Sequence, residues 1–117
     1  MPPDAAAFLW DAWRATEAVG DFVQGRSREE YLTDRMLRSA VERQCEIIGE
    51  ALNRLSKSDP AIAARLPDLR QAVAFRNLLI HGYATVDDAV VWRTATEDLP
   101  RLRESLSRLL DEISGVA

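Results

Sequence analysis

The sequence predicts an all-α protein, an up-and-down bundle of about four to five main helices. Apolar residues recur at three- and four-residue steps over most of the 117-residue chain. Aspartate or serine stands just ahead of the periodic segments, where a helix needs a capping side chain. No stretch shows strand-like alternation, a Gly-rich phosphate loop, zinc-ligand spacing or an internal repeat. The length suits one domain, residues 1–117, built on a single hydrophobic core.

The first helix is expected over Asp4 to Val23, preceded by Pro2 and Pro3 and capped by Asp4. Phe8, Ala12, Ala15, Val19 and Phe22 form its stripe, widened by Leu9, Thr16 and Val23. Trp10 and Trp13 flank the stripe as partly buried packing residues or as part of a subunit interface. Gly25 ends this helix. Ser27 and Glu30 then have capping-box spacing, which predicts a short helical turn through Tyr31 and Leu32.

Thr33 or Asp34 can cap the longest helix. Its apolar face is Met36, Leu37, Ala40, Val41, Gln44, Ile47, Ile48, Ala51, Leu52 and Leu55. Arg35, Arg38, Glu42, Arg43, Glu46 and Glu50 take the other positions. Glu46 and Glu50, four apart, read as a solvated face rather than as paired carboxylates for metal or acid–base work. Gly49 inside a helix costs about 1 kcal/mol relative to alanine, which close approach of a neighbouring helix would justify. Cys45 lies in this apolar stretch and reads as a packed core thiol.

Ser56 to Pro67 is a connector holding a short helix, with Ser58 or Asp59 as cap and Pro60 at its first position. Asp68 is expected to cap the next helix, and Asp87 the last. In that last helix Trp92, Ala95, Leu99, Leu102, Leu106, Leu109 and Ile113 give a coiled-coil-like seam. Pro100 lacks an N–H and should kink or divide it.

A single cysteine excludes an internal disulfide and fits a reducing, cytoplasmic setting. No run approaches membrane-spanning length, and no signal peptide is expected from the N-terminus. The net charge of −4 argues against broad, non-specific nucleic-acid binding but leaves room for a local phosphate site. Fourteen of the fifteen basic residues are arginine, the better planar partner for phosphate oxygens.

The chemistry concentrates in Arg76-Asn77-Leu78-Leu79-Ile80-His81-Gly82-Tyr83, which holds the only histidine. On a helical wheel Leu69, Ala72, Val73 and Ile80 define an apolar face, and Arg76 lies within it. A buried unpaired guanidinium would cost several kcal/mol. Arg76 therefore needs a carboxylate partner, or its face opens onto a cleft or another chain. Asn77 and His81, four apart, share a side, so the amide could orient the imidazole. Arg76 and His81 point about 140° apart on an unbroken helix. A left-handed cap at Gly82, or a two-fold dimer, could bring them together. Histidine can act as general base on a 2′-hydroxyl or as general acid toward a leaving 5′-oxygen, while arginine stabilises charge on the phosphoryl oxygens. One histidine cannot be both base and acid at once, which makes a symmetric dimer chemically attractive. The plainer alternative is a capping histidine beside an ion-paired arginine.

This motif, an Arg-Asn…His-x-Tyr form of Arg-x4-His, resembles that of the HepT-like toxins of the HEPN superfamily. Glu46-Ile47-Ile48-Gly49-Glu50-Ala51-Leu52-Asn53-Arg54-Leu55-Ser56 is similar to the long-helix signature of the same group, and the order of elements agrees as far as Leu99-Pro100-Arg101-Leu102. The resemblance implies an all-helical fold and a metal-independent endoribonuclease without cofactor. It also implies active-site clefts at a homodimer interface, with RNA rather than DNA as substrate. Carried over by position, Arg76 and His81 would be catalytic and Asn77 supporting. It further implies the toxin half of a type VII-like toxin–antitoxin pair. The cognate partner would be a minimal, MntA-like nucleotidyltransferase that adds AMP to the motif tyrosine, here Tyr83. The chain departs from the pattern at Leu66-Pro67-Asp68-Leu69, where many relatives carry a Pro-Trp pair entering the helix. A non-catalytic helical module that binds such a nucleotidyltransferase is the alternative, consistent with the acidic charge.

Overall fold

Capping chemistry and apolar periodicity place seven α-helices in the computed structural model, which describes residues 3–114 without the side chains of Pro3 and Tyr83. They are α1 (Pro3–Val23), α2 (Arg28–Thr33), α3 (Arg35–Ser58), α4 (Pro60–Ala63), α5 (Leu69–His81), α6 (Asp88–Arg93) and α7 (Leu99–Ser114). The described residues contain no strand. The all-α expectation therefore holds.

Most boundaries follow local hydrogen bonds. Ser27 Oγ accepts from the Glu30 amide and Glu30 Oε1 from the Ser27 amide, the full capping box of α2. Asp34 caps α3 through Leu37 N–H, Asp59 caps α4 through Ile62 N–H, and Asp87 caps α6 through Ala89 N–H. Gly25, with φ of 74°, makes the left-handed turn that ends the first helix. Two caps differ from expectation. Helix α1 is already under way at Pro3, so Asp4 lies in its first turn and does not cap it. Asp68 makes no capping bond, because its carboxylate accepts from Arg101 Nε at 3.1 Å instead.

Helix α3 is the centre of the molecule: α1 packs along one side of it and α5 along another, and α7 packs on α1. The described chain measures 43 × 30 × 19 Å, a flattened arrangement about two helix diameters thick. The core comprises Leu9, Ala12, Thr16 and Val19 of α1, Val41, Ile48, Leu52 and Leu55 of α3, and Leu99, Leu102, Leu106 and Leu109 of α7. Leu9 and Thr16, expected at the edge of the α1 stripe, are its middle. Phe22 and Met36, expected on buried faces, are exposed, Met36 by 82%. Phe22 lies near the end of α1 and Met36 near the start of α3, and both line one open surface groove. Glu42, placed off the apolar face of its helix by the sequence pattern, is buried.

The last helix is divided as expected, into α6 and α7, and the break falls just ahead of Pro100, which sits in the first turn of α7. Thr94–Asp98 form a π-helical turn joining α6 to α7, with Leu99 N–H bonded to the Thr94 carbonyl five residues back. The widened turn moves the backbone that a proline ring would crowd, and Pro100 has no N–H to leave unpaired. The leucine seam thus continues from Ala95 to Leu109 without a break in burial.

Candidate active site

Helix α5 settles on α3 where Gly49 faces Arg76. A Cβ on Gly49 would overlap the Arg76 Cβ and come within 2.9 Å of the Ala72 carbonyl oxygen. The expected close approach is therefore present, and the contact it permits offsets the helix-propensity cost of about 1 kcal/mol.

Pressed against α3 in this way, Arg76 is 23% exposed at its side chain. Its Nη2 lies 2.9 Å from Glu50 Oε2, and its Nη1 donates to Asn77 Oδ1 at 2.9 Å. Its Nε is buried without a partner among the described residues. The charge on the apolar face is thus paired to a carboxylate, and the same face also opens onto a cleft. Glu50 in turn accepts from Arg54 Nε at 2.9 Å, so one carboxylate bridges two guanidinium groups. Reading Glu46 and Glu50 as a solvated face missed this. The only sequence signal was the position of Glu50 beside the close-approach glycine.

The rest of the motif is arranged differently from the wheel. Asn77 pairs with Arg76, and its amide oxygen is engaged there rather than at the imidazole. His81 is the last residue of α5 and is exposed. Ile80, expected in the apolar face, is 42% exposed. Gly82 has φ of −117°, so the helix does not end in a left-handed cap. Space around it is tight instead: a Cβ there would lie 3.0 Å from Leu78 Cδ1 and 3.3 Å from Thr85 Oγ1, so those side chains would have to shift by a few tenths of an ångström. The backbone of Tyr83 opens a 3₁₀ turn, Tyr83–Thr85, while its side chain lies outside the described residues.

The cleft holds about 610 Å³ between α1, α3 and the end of α5. Four arginines line it, Arg14, Arg43, Arg54 and Arg76, against three carboxylates, Asp11, Glu46 and Glu50. Ile80 lines it too, whereas His81 does not. Arg76 therefore faces the cleft and His81 lies beyond its rim. Within one chain the two are separated as the helix wheel implied, and the Gly82 geometry does not fold them together.

Away from the motif, Tyr31, Glu42 and Cys45 form a buried polar cluster. Burial pushes the Cys45 thiol up to about 12, which agrees with a packed, unreactive thiol. Burial raises the Glu42 carboxyl above its usual range, and the nearby Asp88 and Glu46 charges raise it further. The Tyr31 hydroxyl is likewise raised by burial and has no hydrogen-bond partner among the described residues. Its ring packs on Trp92 with centroids 5.4 Å apart.

Helical architecture with an ion-paired arginine held at a cleft between the helices places the chain among small all-α proteins. The family model for HepT-like ribonucleases matches residues 13–109, and the chain belongs to that family. It is 33% identical over 102 residues to the Thermococcus cleftensis protein named Probable ribonuclease HepT, covering 87% of this chain and 92% of that one. Two Methanocaldococcus jannaschii proteins whose names carry RNase are 29% identical over 112 residues and 32% identical over 105. The matches cover 96% and 88% of this chain, and 92% and 94% of those proteins. No solved structure matches the chain.

Proposed function

We propose that the protein is a toxin endoribonuclease that cleaves RNA without a metal ion, with Arg76 and His81 as catalytic residues. The observation carrying this is the Arg76 guanidinium, fixed at the wall of a cleft by Glu50 and Asn77 in a chain of the HepT-like ribonuclease family. An arginine clamped at both Nη atoms is pre-organised to face a phosphoryl group with little further loss of freedom. Asn77 is the supporting residue, acting through Arg76.

His81 takes the proton of the ribose 2′-hydroxyl, and the 2′-oxygen attacks the adjacent phosphorus. The bond to the 5′-oxygen breaks, and that oxygen receives a proton from an imidazolium. The products are a 2′,3′-cyclic phosphate and a 5′-hydroxyl. Base and acid must be two groups, and the chain has one histidine. A homodimer that sets two copies of His81 at one cleft supplies both. The exposed position of His81 at the end of α5 is compatible with that pairing.

Regulation falls to a cognate minimal nucleotidyltransferase that adds AMP to Tyr83, two residues beyond His81. Each adduct would place negative charge beside the phosphate site and repel RNA. Incubating wild type, Arg76→Ala and His81→Ala with varied RNAs in EDTA tests the catalytic reading. Cleavage by wild type alone is expected. Equal cleavage by all three, or none by unmodified wild type, would refute it.

A further inference from the structure

We infer that the cleft between α1 and α3 is a binding track for single-stranded RNA, in which Arg14 and Arg43 hold backbone phosphates away from the reacting bond, and that Trp10, beyond the cleft's edge, stacks a base. This rests on the ribonuclease reading above and extends it to residues outside the motif.

The charge of the cleft runs against the charge of the protein. The chain carries a net −4, yet this cleft gathers four arginines against three carboxylates. Two of those carboxylates are already shared with arginines, Glu50 between Arg54 and Arg76, and Glu46 with Arg43 at 3.4 Å. Arg43 is 68% exposed, so its hold on Glu46 is loose and open to exchange for a phosphate. Arg14 forms no ion pair among the described residues. Both guanidinium groups can present paired N–H donors to phosphate oxygens.

The positions form a path. Arg43 and Arg54 stand about 16 Å apart along α3, enough to reach more than one phosphate of a strand entering beside Arg76. Arg14 faces the same cleft from α1, and Trp10, which does not itself line the cleft, lies one helical turn before it on the same helix, past the cleft's edge. Trp10 is 48% exposed although it stacks on Trp13, with ring centroids 5.1 Å apart and an interplanar angle of 13°. Trp13 is itself fixed, its Nε1 donating to Ser107 Oγ at 2.7 Å and Arg103 lying over its ring. Trp10 is thus an exposed aromatic face backed by a held ring. Stacking there needs a free base face, which an unpaired strand offers and a duplex does not.

The test uses a fluorescent 2′-O-methyl RNA strand, which lacks the attacking hydroxyl, so binding is read apart from cleavage. Anisotropy titrations at several salt concentrations compare wild type, Arg14→Ala/Arg43→Ala and Trp10→Ala, with circular dichroism to show that each is folded. The double variant is expected to bind at least about tenfold more weakly and to lower the salt slope by about 1.4, two phosphate contacts at about 0.7 each. Trp10→Ala should weaken binding about fivefold or more with the slope unchanged. Undiminished binding by the double variant, or no binding by wild type, overturns the track. Wild type that binds through these residues but cuts no RNA would sink the ribonuclease reading alone. Wild type that cuts RNA with a KM indifferent to Arg14 and Arg43 would sink the track alone.

Discussion

Gly49 of α3 and Arg76 of α5 occupy the same point in space to within a missing methyl group. The absence of a side chain at one is what gives the other its place at the cleft wall. Gly49→Ala should therefore be costly in two ways. Alanine is favoured over glycine in a helix by about 1 kcal/mol, but overpacking here forces α5 outward at a cost of about 1–3 kcal/mol. Urea denaturation is expected to show net destabilisation, and RNA cleavage to fall further than the folded fraction does. A variant more stable than wild type with full activity would show that the two helices are free to separate.

Glu50 holds Arg76 from across the interhelical gap. In Glu50→Gln the charge that fixes the guanidinium is gone, and kcat for RNA cleavage should drop about tenfold or more. Stability should change by less than about 1 kcal/mol, because the pair is partly open to solvent. Steady-state kinetics beside a denaturation curve separates the two effects. Unchanged kcat would mean that Asn77 alone suffices to position Arg76.

Glu42 gives the protein a pH-dependent liability. Its carboxyl is held above the usual range by burial first, then by Asp88 and Glu46, with Arg38 opposing. The folded state therefore binds this proton more tightly than the unfolded chain does. Its contribution is full below the unfolded value of about 4.5 and is lost as pH rises through the folded value. The stability difference between Glu42→Gln and wild type should thus move in favour of the variant from pH 4 to pH 7. A difference that stays constant over that range would remove Glu42 as the source.

Dimerisation supplies the second histidine in the proposed mechanism. Sedimentation should give twice the 13.1 kDa chain mass, and specific cleavage activity per chain should fall on dilution below the dissociation constant. Activity proportional to concentration in a purely monomeric sample would overturn the shared-cleft arrangement.

Tyr83 is the proposed acceptor of AMP. Co-expression with an active nucleotidyltransferase partner should raise the intact mass in AMP-sized steps and suppress cleavage. Tyr83→Phe should block the increase while leaving the helices intact, since one hydroxyl at a helix end contributes about 1 kcal/mol at most. An adduct persisting on Tyr83→Phe would place the modification elsewhere.

The helices were legible because their signals are local. Ser27 with Glu30, and Asp34, Asp59 and Asp87, bond backbone groups within three residues, and the Leu99–Leu102–Leu106–Leu109 seam repeats within one helix. The same local rules misplaced residues whose fate lies with another helix. Met36 fits the apolar period of α3 yet is exposed, and Glu42 breaks that period yet is buried. Asp68 looked like a cap until Arg101 of α7 claimed its carboxylate.

The candidate site divides along the same line. From sequence alone came the Arg76–Tyr83 motif, the need for a partner to Arg76 and the close approach at Gly49. Helical period and the cost of an unpaired charge require no knowledge of the fold. Only the packing of α5 on α3 decided that the partner is Glu50, that Asn77 serves Arg76 rather than His81, and that His81 stands outside the cleft. The Glu50–Arg76 contact joins side chains far apart in sequence, and which atoms meet is set by interhelical distance and rotation, which no spacing within a single helix encodes.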